Sequence, residues 1–566
     1  MHTIGSAEHA WVDRTLTSLT LREKIGQMIM PWVGGEYVAE DSPEMDRLVE
    51  WVERDGIGGI VISVGMPHSY AAKLNAMQRR ARVPLLVASD MENGPGMRMA
   101  GIYSFPHLLP QGGGTEFPST MAVGATGSDS LAYGVGRVLA TEARAVGVHV
   151  TFGPVLDVNS NPANPIINTR SYGEDPALVA RLASAYIRGA RDGGLQTTGK
   201  HFPGHGDTEI DSHIALPSIR ADRERLDTVE LSPYRTVLGP GGVGLEGVMT
   251  AHIAVVGIEG SEAPPATLSP HFLTDVLREQ LGFVGVVYTD AMSMGAVVSR
   301  YGTTEPLLRA IEAGADVLLM PADVTQAIGT IEEGVRSGRI AESRIDASVR
   351  RILESKVRAG LHRERLVDLE RVDDAVAIRA HTMLARTIAE RSITLARDAR
   401  GLVPLAAEAR RILVLTYAGA NDPIAGRSFA ATIRTGGRTV QVVRVDARTT
   451  APELDALRLR ADSVDAIIAA TFVAPLEGAG TVATESGYAW LVQQLALAGK
   501  PVIAVSFGSP YVLGFFPDAP AYLLAWGGQD ASQRAAARAL LGEIPITGTL
   551  PVSIPPHHAR GEGLRR

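Results

Sequence analysis

Short apolar runs recur up to residue 320, at 27–30, 59–63, 84–88, 148–152, 195–198, 247–251, 284–289 and 315–320. Runs this short predict strands buried on both faces, which show no polar alternation. Between most of them the apolar positions return at helical spacing, predicting helices at 70–80, 130–146, 176–191, 223–237, 270–280 and 307–313. Eight strands alternating with helices predict a (β/α)8 TIM-like barrel. The widest gap, between residues 88 and 148, reads as an insertion at the loop-bearing face.

From residue 322 to 390 the pattern is helical, with candidates at 328–337, 343–356 and 374–390. Beyond it, runs at 412–416, 439–443, 466–470, 501–506 and 522–526 predict parallel strands, with helices such as 489–498 and 531–541 between them. The proline-bearing stretch 548–555 reads as a terminal edge strand. The expected division is therefore a catalytic barrel with a helical linker over 1–390 and a smaller α/β sandwich over 391–566.

Composition narrows the function. A net charge of −8 with no sustained basic block argues against nucleic acid and against an anionic membrane as partners. The absence of cysteine removes disulfides, thiolate metal sites and thiol nucleophiles together. Residues 1–19 lack the apolar segment of a signal peptide, and no run reaches spanning length. A cytoplasmic protein is expected, or a periplasmic or secreted one if a leader is removed.

The chemistry concentrates at the predicted strand ends. Asp90 with Glu92, Asp157 with Asn159, Lys200 with His201, His252 and Asp290 all follow an apolar run, where a barrel opens to its mouth. Polar groups repeated at that position suit a polar substrate. The stretch from Lys200 to His213 carries three histidines, and Pro203, Gly204 and Gly206 keep it from being regular helix. On a local extended segment Asp211 and His213 would point the same way, so the carboxylate could orient the imidazole for proton transfer. A zinc pair at His201 and His205 is the other reading of the spacing. Proline and glycine between them break the helix it requires, and there is no HExxH glutamate. No metal is expected there, and beyond residue 391 no GxGxxG, GxxxxGK[ST] or GxSxG occurs, so no cofactor or nucleophile-elbow fingerprint marks the second domain and no cofactor is expected.

The block Lys200-His-Phe-Pro-Gly-His-Gly-Asp207 followed by Asp211-Ser-His213, with Thr289-Asp-Ala-Met-Ser-Met294 and Asn168-Thr-Arg-Ser-Tyr-Gly173, resembles glycoside hydrolase family 3. The resemblance is to its bacterial β-N-acetylglucosaminidase branch in the two-domain form. It implies Asp290 as nucleophile, His213 as general acid/base oriented by Asp211, and Asp90, Arg170, Lys200 and His201 as the residues that hold the terminal sugar. One departure is the stretch Ser89-Asp-Met-Glu-Asn-Gly94, where relatives carry an earlier basic residue and this chain offers only Arg98.

What the resemblance implies is a retaining, exo-acting β-N-acetylglucosaminidase without cofactor, working as a monomer or homodimer. Its substrate would be a small carbohydrate ending in N-acetylglucosamine, from muropeptides or chitooligosaccharides. An imidazole can serve both proton transfers near neutrality without the burial a carboxylic acid would need. Three alternatives stand beside it: a β-N-acetylglucosaminide phosphorylase, because histidine repels phosphate less than glutamate would; a β-glucosidase or β-xylosidase of the same family; and a noncatalytic carbohydrate-binding relative.

Overall fold

The computed structural model describes residues 4–104, 109–420, 422–476 and 478–566. They form two compact units: Met1–Thr115, Ala132–Asp157 and Ala180–His381 in the first, and Glu116–Leu131, Val158–Val179 and Thr382–Arg566 in the second.

In the first unit the strands Trp32–Gly34, Gly59–Ser63, Leu86–Ser89, Val150–Thr151, Gln196–Phe202, Gly247–Thr250 and Val286–Tyr288 lie side by side, all parallel. Leu318–Leu319 pairs in parallel with Ile29–Met30, and a parallel bridge from Tyr288 to Val317 ties it to the seventh position. Only Pro31 separates Ile29–Met30 from Trp32–Gly34, so the two pieces act as one interrupted first strand and the ring closes. This is the predicted barrel.

Its first strand starts later than the apolar run suggested. A capping box of Thr20 and Glu23 starts the helix Leu21–Gln27, and Gln27 ends it by donating from Nε2 to Gly56 O at 2.8 Å. The fifth strand runs further than predicted. Lys200 and His201 belong to it because the neighbouring chain supplies partners: Leu156 N–H donates to Lys200 O at 2.6 Å and Lys200 N–H to Pro154 O at 3.2 Å.

The helix expected over 223–237 is broken into Arg223–Arg225, the π-turn Leu226–Glu230 and Ser232–Leu238. Pro233 has no N–H to continue the ladder. His271–Gln280 is likewise wound as a π-helix.

The second unit carries a six-stranded sheet ordered Thr394–Asp398, Ala521–Leu524, Val502–Ser506, Ala466–Phe472, Arg411–Ala418, Thr439–Val445. All pairs are parallel except the first, which is antiparallel. Ile412, Val414, Ile468, Val505 and Leu523 from the sheet and Phe429 and Ile433 from a covering helix build its core. The strand Thr394–Asp398 escaped the sequence reading because its last two residues, Arg397-Asp398, are charged and leave too short an apolar run. The edge strand expected at 548–555 is replaced by irregular chain. There Leu550 N–H donates to Glu562 O and Ser553 N–H to Glu174 Oε2, and the one bridge joins Ile554 to His558. Pro551 and Pro555 remove the donors that a ladder would use.

Closure of the barrel depends on Asp316. Its fully buried carboxylate accepts the Val287 N–H at 3.0 Å, the Ser348 hydroxyl at 2.6 Å and Arg278 Nη2 at 2.6 Å, with Arg351 Nη1 at 3.0 Å. Burial pushes the Arg278 guanidinium down to about 10, against the pull of Asp316. Removing one member of a buried charged set leaves the others uncompensated and costs about 3–5 kcal/mol. Asp316→Ala is expected to lower urea-unfolding stability by that amount. A loss below about 1 kcal/mol would show the cluster to be solvated and incidental.

Candidate active site

The polar groups of the first unit gather at the C-terminal ends of its strands, and each is set there by local chain geometry. Asp90 follows Leu86–Ser89 directly, and Lys200 reaches across to it at 2.8 Å while also meeting Glu92 Oε1 at 2.7 Å. The ammonium and Glu92 are nearly buried, whereas the Asp90 side chain keeps 21% exposure.

His201 faces the other way, with Nδ1 at 2.7 Å from Asp157 Oδ2. Asp157, fully buried, also accepts the His201 N–H at 3.2 Å and the His205 N–H at 2.7 Å. Burial works against its charge, but the His201 ring and these N–H groups outweigh it and hold the carboxyl below its ordinary value. The peptide bonds Lys200–His201 and Phe202–Pro203 are cis.

His205 is buried and braces the loop, with Nδ1 at 2.9 Å from the Thr208 hydroxyl and Nε2 at 3.1 Å from the Ser212 hydroxyl. His201 and His205 stand with ring centroids 5.8 Å apart and planes at 74°. Their Nδ1 atoms serve separate partners, so the pair is not arranged as a chelate. Among the described residues no cluster of three or more His, Asp or Glu is disposed to hold a metal.

Asp211 and His213 are paired as the sequence suggested, by a different route. The segment is a turn rather than extended chain. Asp211 Oδ1 accepts the His213 N–H at 2.9 Å and lies 2.7 Å from His213 Nδ1, while Asp211 O accepts the N–H groups of Ile214 and Ala215. This is an Asx-type turn, which brings an i+2 side chain round to its own carboxylate. The Asp211 carboxylate is buried; the His213 ring is 30% exposed. With Nδ1 committed, Nε2 is the nitrogen disposed to exchange protons outward.

Asp290 closes the seventh position after Val286–Tyr288. Thr289 anchors it, its N–H donating to Val317 O at 2.9 Å and its hydroxyl accepting the Leu319 N–H at 3.0 Å. Asp290 Oδ1 accepts the Ala291 N–H at 2.7 Å. Burial raises its carboxyl, but His252, His201, that N–H and Lys200 prevail and keep it below the ordinary carboxylate range.

His252 is fully buried between Thr267 Oγ1, 2.8 Å from Nδ1, and Ala291 O, 3.0 Å from Nε2. Burial depresses its titration. Asp290 acts in the opposite sense, while His201 and His213 add to the depression. A neutral ring with its proton on Nε2 satisfies both contacts. The contact with Ala291 O ties the ring to the residue that follows Asp290.

Arg170 belongs to the second compact unit, on the turn Asn168–Arg170, where Nη1 donates to Ile166 O at 3.0 Å. Arg98 ends the turn Pro95–Met97, and its carbonyl accepts the Tyr70 hydroxyl at 3.1 Å. The sequence marked Glu92, Asp157 and His252 only as strand-end polar groups. Their partners, Lys200, His201 and Ala291, lie tens of residues away.

Sequence models of glycosyl hydrolase family 3 match both parts of the chain, the N terminal domain over residues 20–355 and the C-terminal domain over 393–562. The chain belongs to glycosyl hydrolase family 3. Among family 3 proteins, a β-N-acetylglucosaminidase/β-glucosidase of Cellulomonas fimi is 27% identical over 559 residues, covering 96% of this chain and 95% of that one. The solved structure of a family 3 β-N-acetylglucosaminidase from Paenibacillus sp. str. FPU-7 superposes with a TM-score of 0.82 at 32% identity, covering 95% of this chain and 99% of that one. The structure of a β-glucoside phosphorylase, BglX, superposes with a TM-score of 0.85 at 27% identity, covering 97% of each chain. Family 3 membership accounts for the barrel and for the second α/β unit that follows it. No described helix is long and apolar enough to cross a membrane.

The pairing of Asp157 with His201 yields a test with a defined pH sign. A carboxyl held below its unfolded value contributes stability that is fully present above that value, near 4, and is lost as pH falls through the lower folded value. Asp157→Asn is therefore expected to lose on the order of 2–4 kcal/mol at neutral pH. The gap from the parent should narrow on acidification below about pH 4. Urea unfolding across that range would sink the assignment if the gap stayed constant.

Proposed function

We propose that this chain is a retaining, exo-acting β-N-acetylglucosaminidase that removes terminal nonreducing N-acetylglucosamine from muropeptide or chitooligosaccharide fragments. The observation that carries the reading is the Asp211–His213 pair, at 2.7 Å, on a loop whose Ser212 O accepts the Ala296 N–H from the segment that leaves Asp290. A carboxylate kept ionised and an imidazole whose second nitrogen faces outward are the two partners a double displacement needs.

In the first step a carboxylate oxygen of Asp290 attacks the anomeric carbon, and the bond to the leaving oxygen breaks. His213 Nε2 gives that oxygen its proton, so the aglycone leaves as a neutral alcohol and a glycosyl ester remains. In the second step water attacks the same carbon, His213 Nε2 takes its proton, and the Asp290 carboxylate is released. Asp211 holds the ring through Nδ1, so that the same Nε2 serves both transfers. We assign Asp90, Lys200 and His201 to the terminal sugar: the partly exposed Asp90 carboxylate, paired with Lys200, can accept its hydroxyls.

Two further considerations support the acetamido-sugar reading. The names carried by the Paenibacillus and Cellulomonas relatives include β-N-acetylglucosaminidase. The acid/base histidine resides on the barrel loop itself. The likeness to a β-glucoside phosphorylase keeps phosphate as the rival acceptor, since a histidine adds no negative charge to repel it.

A product assay on aryl β-N-acetylglucosaminide, chitobiose and an N-acetylglucosaminyl-anhydromuramyl fragment, with and without phosphate, tests this. Free N-acetylglucosamine in both conditions is expected. The sugar 1-phosphate as main product would turn the reading to phosphorolysis, and faster cleavage of aryl glucosides would turn it to a glucosidase.

His213→Ala should cut turnover on sugar leaving groups by roughly 10²–10⁴-fold and spare activated aryl groups. The fall of kcat/KM with rising pH, which reports loss of the acid's proton, should disappear in that variant. Because Asp290 is held below the ordinary carboxylate range, it should set no acid limb above about pH 4. Mass mapping after a slow fluorosugar should find the label on Asp290 and none in Asp290→Ala; a label on another residue would overturn the nucleophile.

A further inference from the structure

The loop that carries His213 has little apolar anchorage at its tip. Ile210 and Ile214, on either side of the Asp211–His213 pair, are 47% and 52% exposed. Besides the His205 ring at the Ser212 hydroxyl, backbone contact with the segment that leaves Asp290 holds the tip. Ser212 O accepts the Ala296 N–H at 3.2 Å, and Ala296 is the second residue of the helix Gly295–Tyr301. The other end of that segment is fixed to the barrel, where the Met292 N–H donates to Leu319 O at 2.9 Å.

Gly295 lies under the loop at the point of closest approach. A methyl group built on it would stand 2.7 Å from Ile214 O and 2.8 Å from His213 O. Ordinary carbon-to-oxygen contacts begin near about 3.3 Å, so alanine would have to lift the loop backbone by roughly half an ångström. Those two oxygens belong to main chain that cannot rotate aside as a flexible side chain would. The need for glycine here is spatial, because Gly295 opens an ordinary right-handed helix. At such a position alanine is otherwise the better residue.

We propose that Gly295 is a positioning residue for proton transfer: its bare Cα lets the acid/base loop rest on the segment carrying the nucleophile, and so fixes the spacing of His213 from Asp290. The proposal rests on the reading of His213 as the acid/base. It predicts a selective defect. Misplacing a reacting group by a fraction of an ångström to an ångström costs up to about 10²-fold, and here the misplaced group is the proton donor alone.

The test compares the parent, Gly295→Ala, His213→Ala and a control, Gly329→Ala, whose added methyl would meet nothing within 4 Å. Steady-state rates are measured on aryl β-N-acetylglucosaminides of graded leaving-group pKa, with thermal midpoints and fluorosugar labelling of Asp290 recorded in parallel. Gly295→Ala is expected to keep its midpoint and its labelling. Its kcat should fall about 10–100-fold on poor leaving groups and little on good ones, so that the dependence on leaving-group pKa steepens toward that of His213→Ala. Gly329→Ala should behave as the parent.

A parental dependence in Gly295→Ala beside a steep one in His213→Ala overturns the positioning role alone. A parental dependence in His213→Ala means that the acid/base reading has failed. If Gly295→Ala does not fold, Ala296→Pro decides, since it deletes the N–H that Ser212 O accepts at a first-turn position where proline is tolerated. Failure of both to fold would also overturn the proposal, by making the contact a requirement of the fold.

Discussion

A carboxylate taken out of water keeps its charge only where the protein returns the hydrogen bonds and counter-charge that water supplied. Asp157 is in that position, and one short stretch supplies it with three of its partners: the His201 N–H and ring, and the His205 N–H. Two donors four residues apart can reach one carboxylate only if the chain between them doubles back. Pro203 has no N–H to satisfy on that turn. Gly204 takes φ 148°, and a side chain there would meet Glu230 Cβ at 2.8 Å. The start of the loop is therefore dictated by a charge on the chain that follows the neighbouring strand, and the two residues that break regular structure are those the turn can use.

Everything further along the loop is hung from that turn. His205, fixed through its backbone, offers its ring to Thr208 and Ser212, and Ser212 stands between Asp211 and His213. The proposed acid/base is thus connected to a buried charge by a short series of hydrogen bonds, while its own ring stays partly exposed. Around Asp290 the arrangement is complementary. Burial works against the Asp290 charge, yet the groups around it hold the carboxyl below its ordinary range, and burial depresses the titration of the adjacent His252.

How far this could be read from the chain depended on the range of the interactions. The barrel was legible because each buried strand is a local apolar run, and strand-end residues such as Asp90 and Asp290 were legible because position along such a run is also local. Pairings that close over distance were not. Nothing around residue 316 announces that its aspartate collects Arg278, Arg344 and Arg351. The partnership of Asp157 with His201 depends on the register of two strands. The Asp211–His213 pair was foreseen from spacing with the wrong backbone, since an aspartate that caps its own turn competes with extension. The terminal stretch at 548–555 failed for a related reason: apolar alternation was present, but its prolines withheld the donors.

The two proposed reacting groups are held by different kinds of structure, and that difference matters for what substitution can change. Asp290 is fixed by neighbouring strands on a segment bonded to Val317 and Leu319, so its position is a property of the barrel. His213 is fixed by a turn that closes on itself and by contact with the first turn of the next helix. A strand position cannot move without disturbing its ladder, whereas a turn resting on a glycine can be raised by a single methyl. Proton transfer is accordingly the step that small changes in this site can tune while the attacking carboxylate stays where the strands put it. The exposed Ile210 and Ile214 lie on that turn, so under the proposed roles variation in the loop would alter the surface beside the acid together with its position.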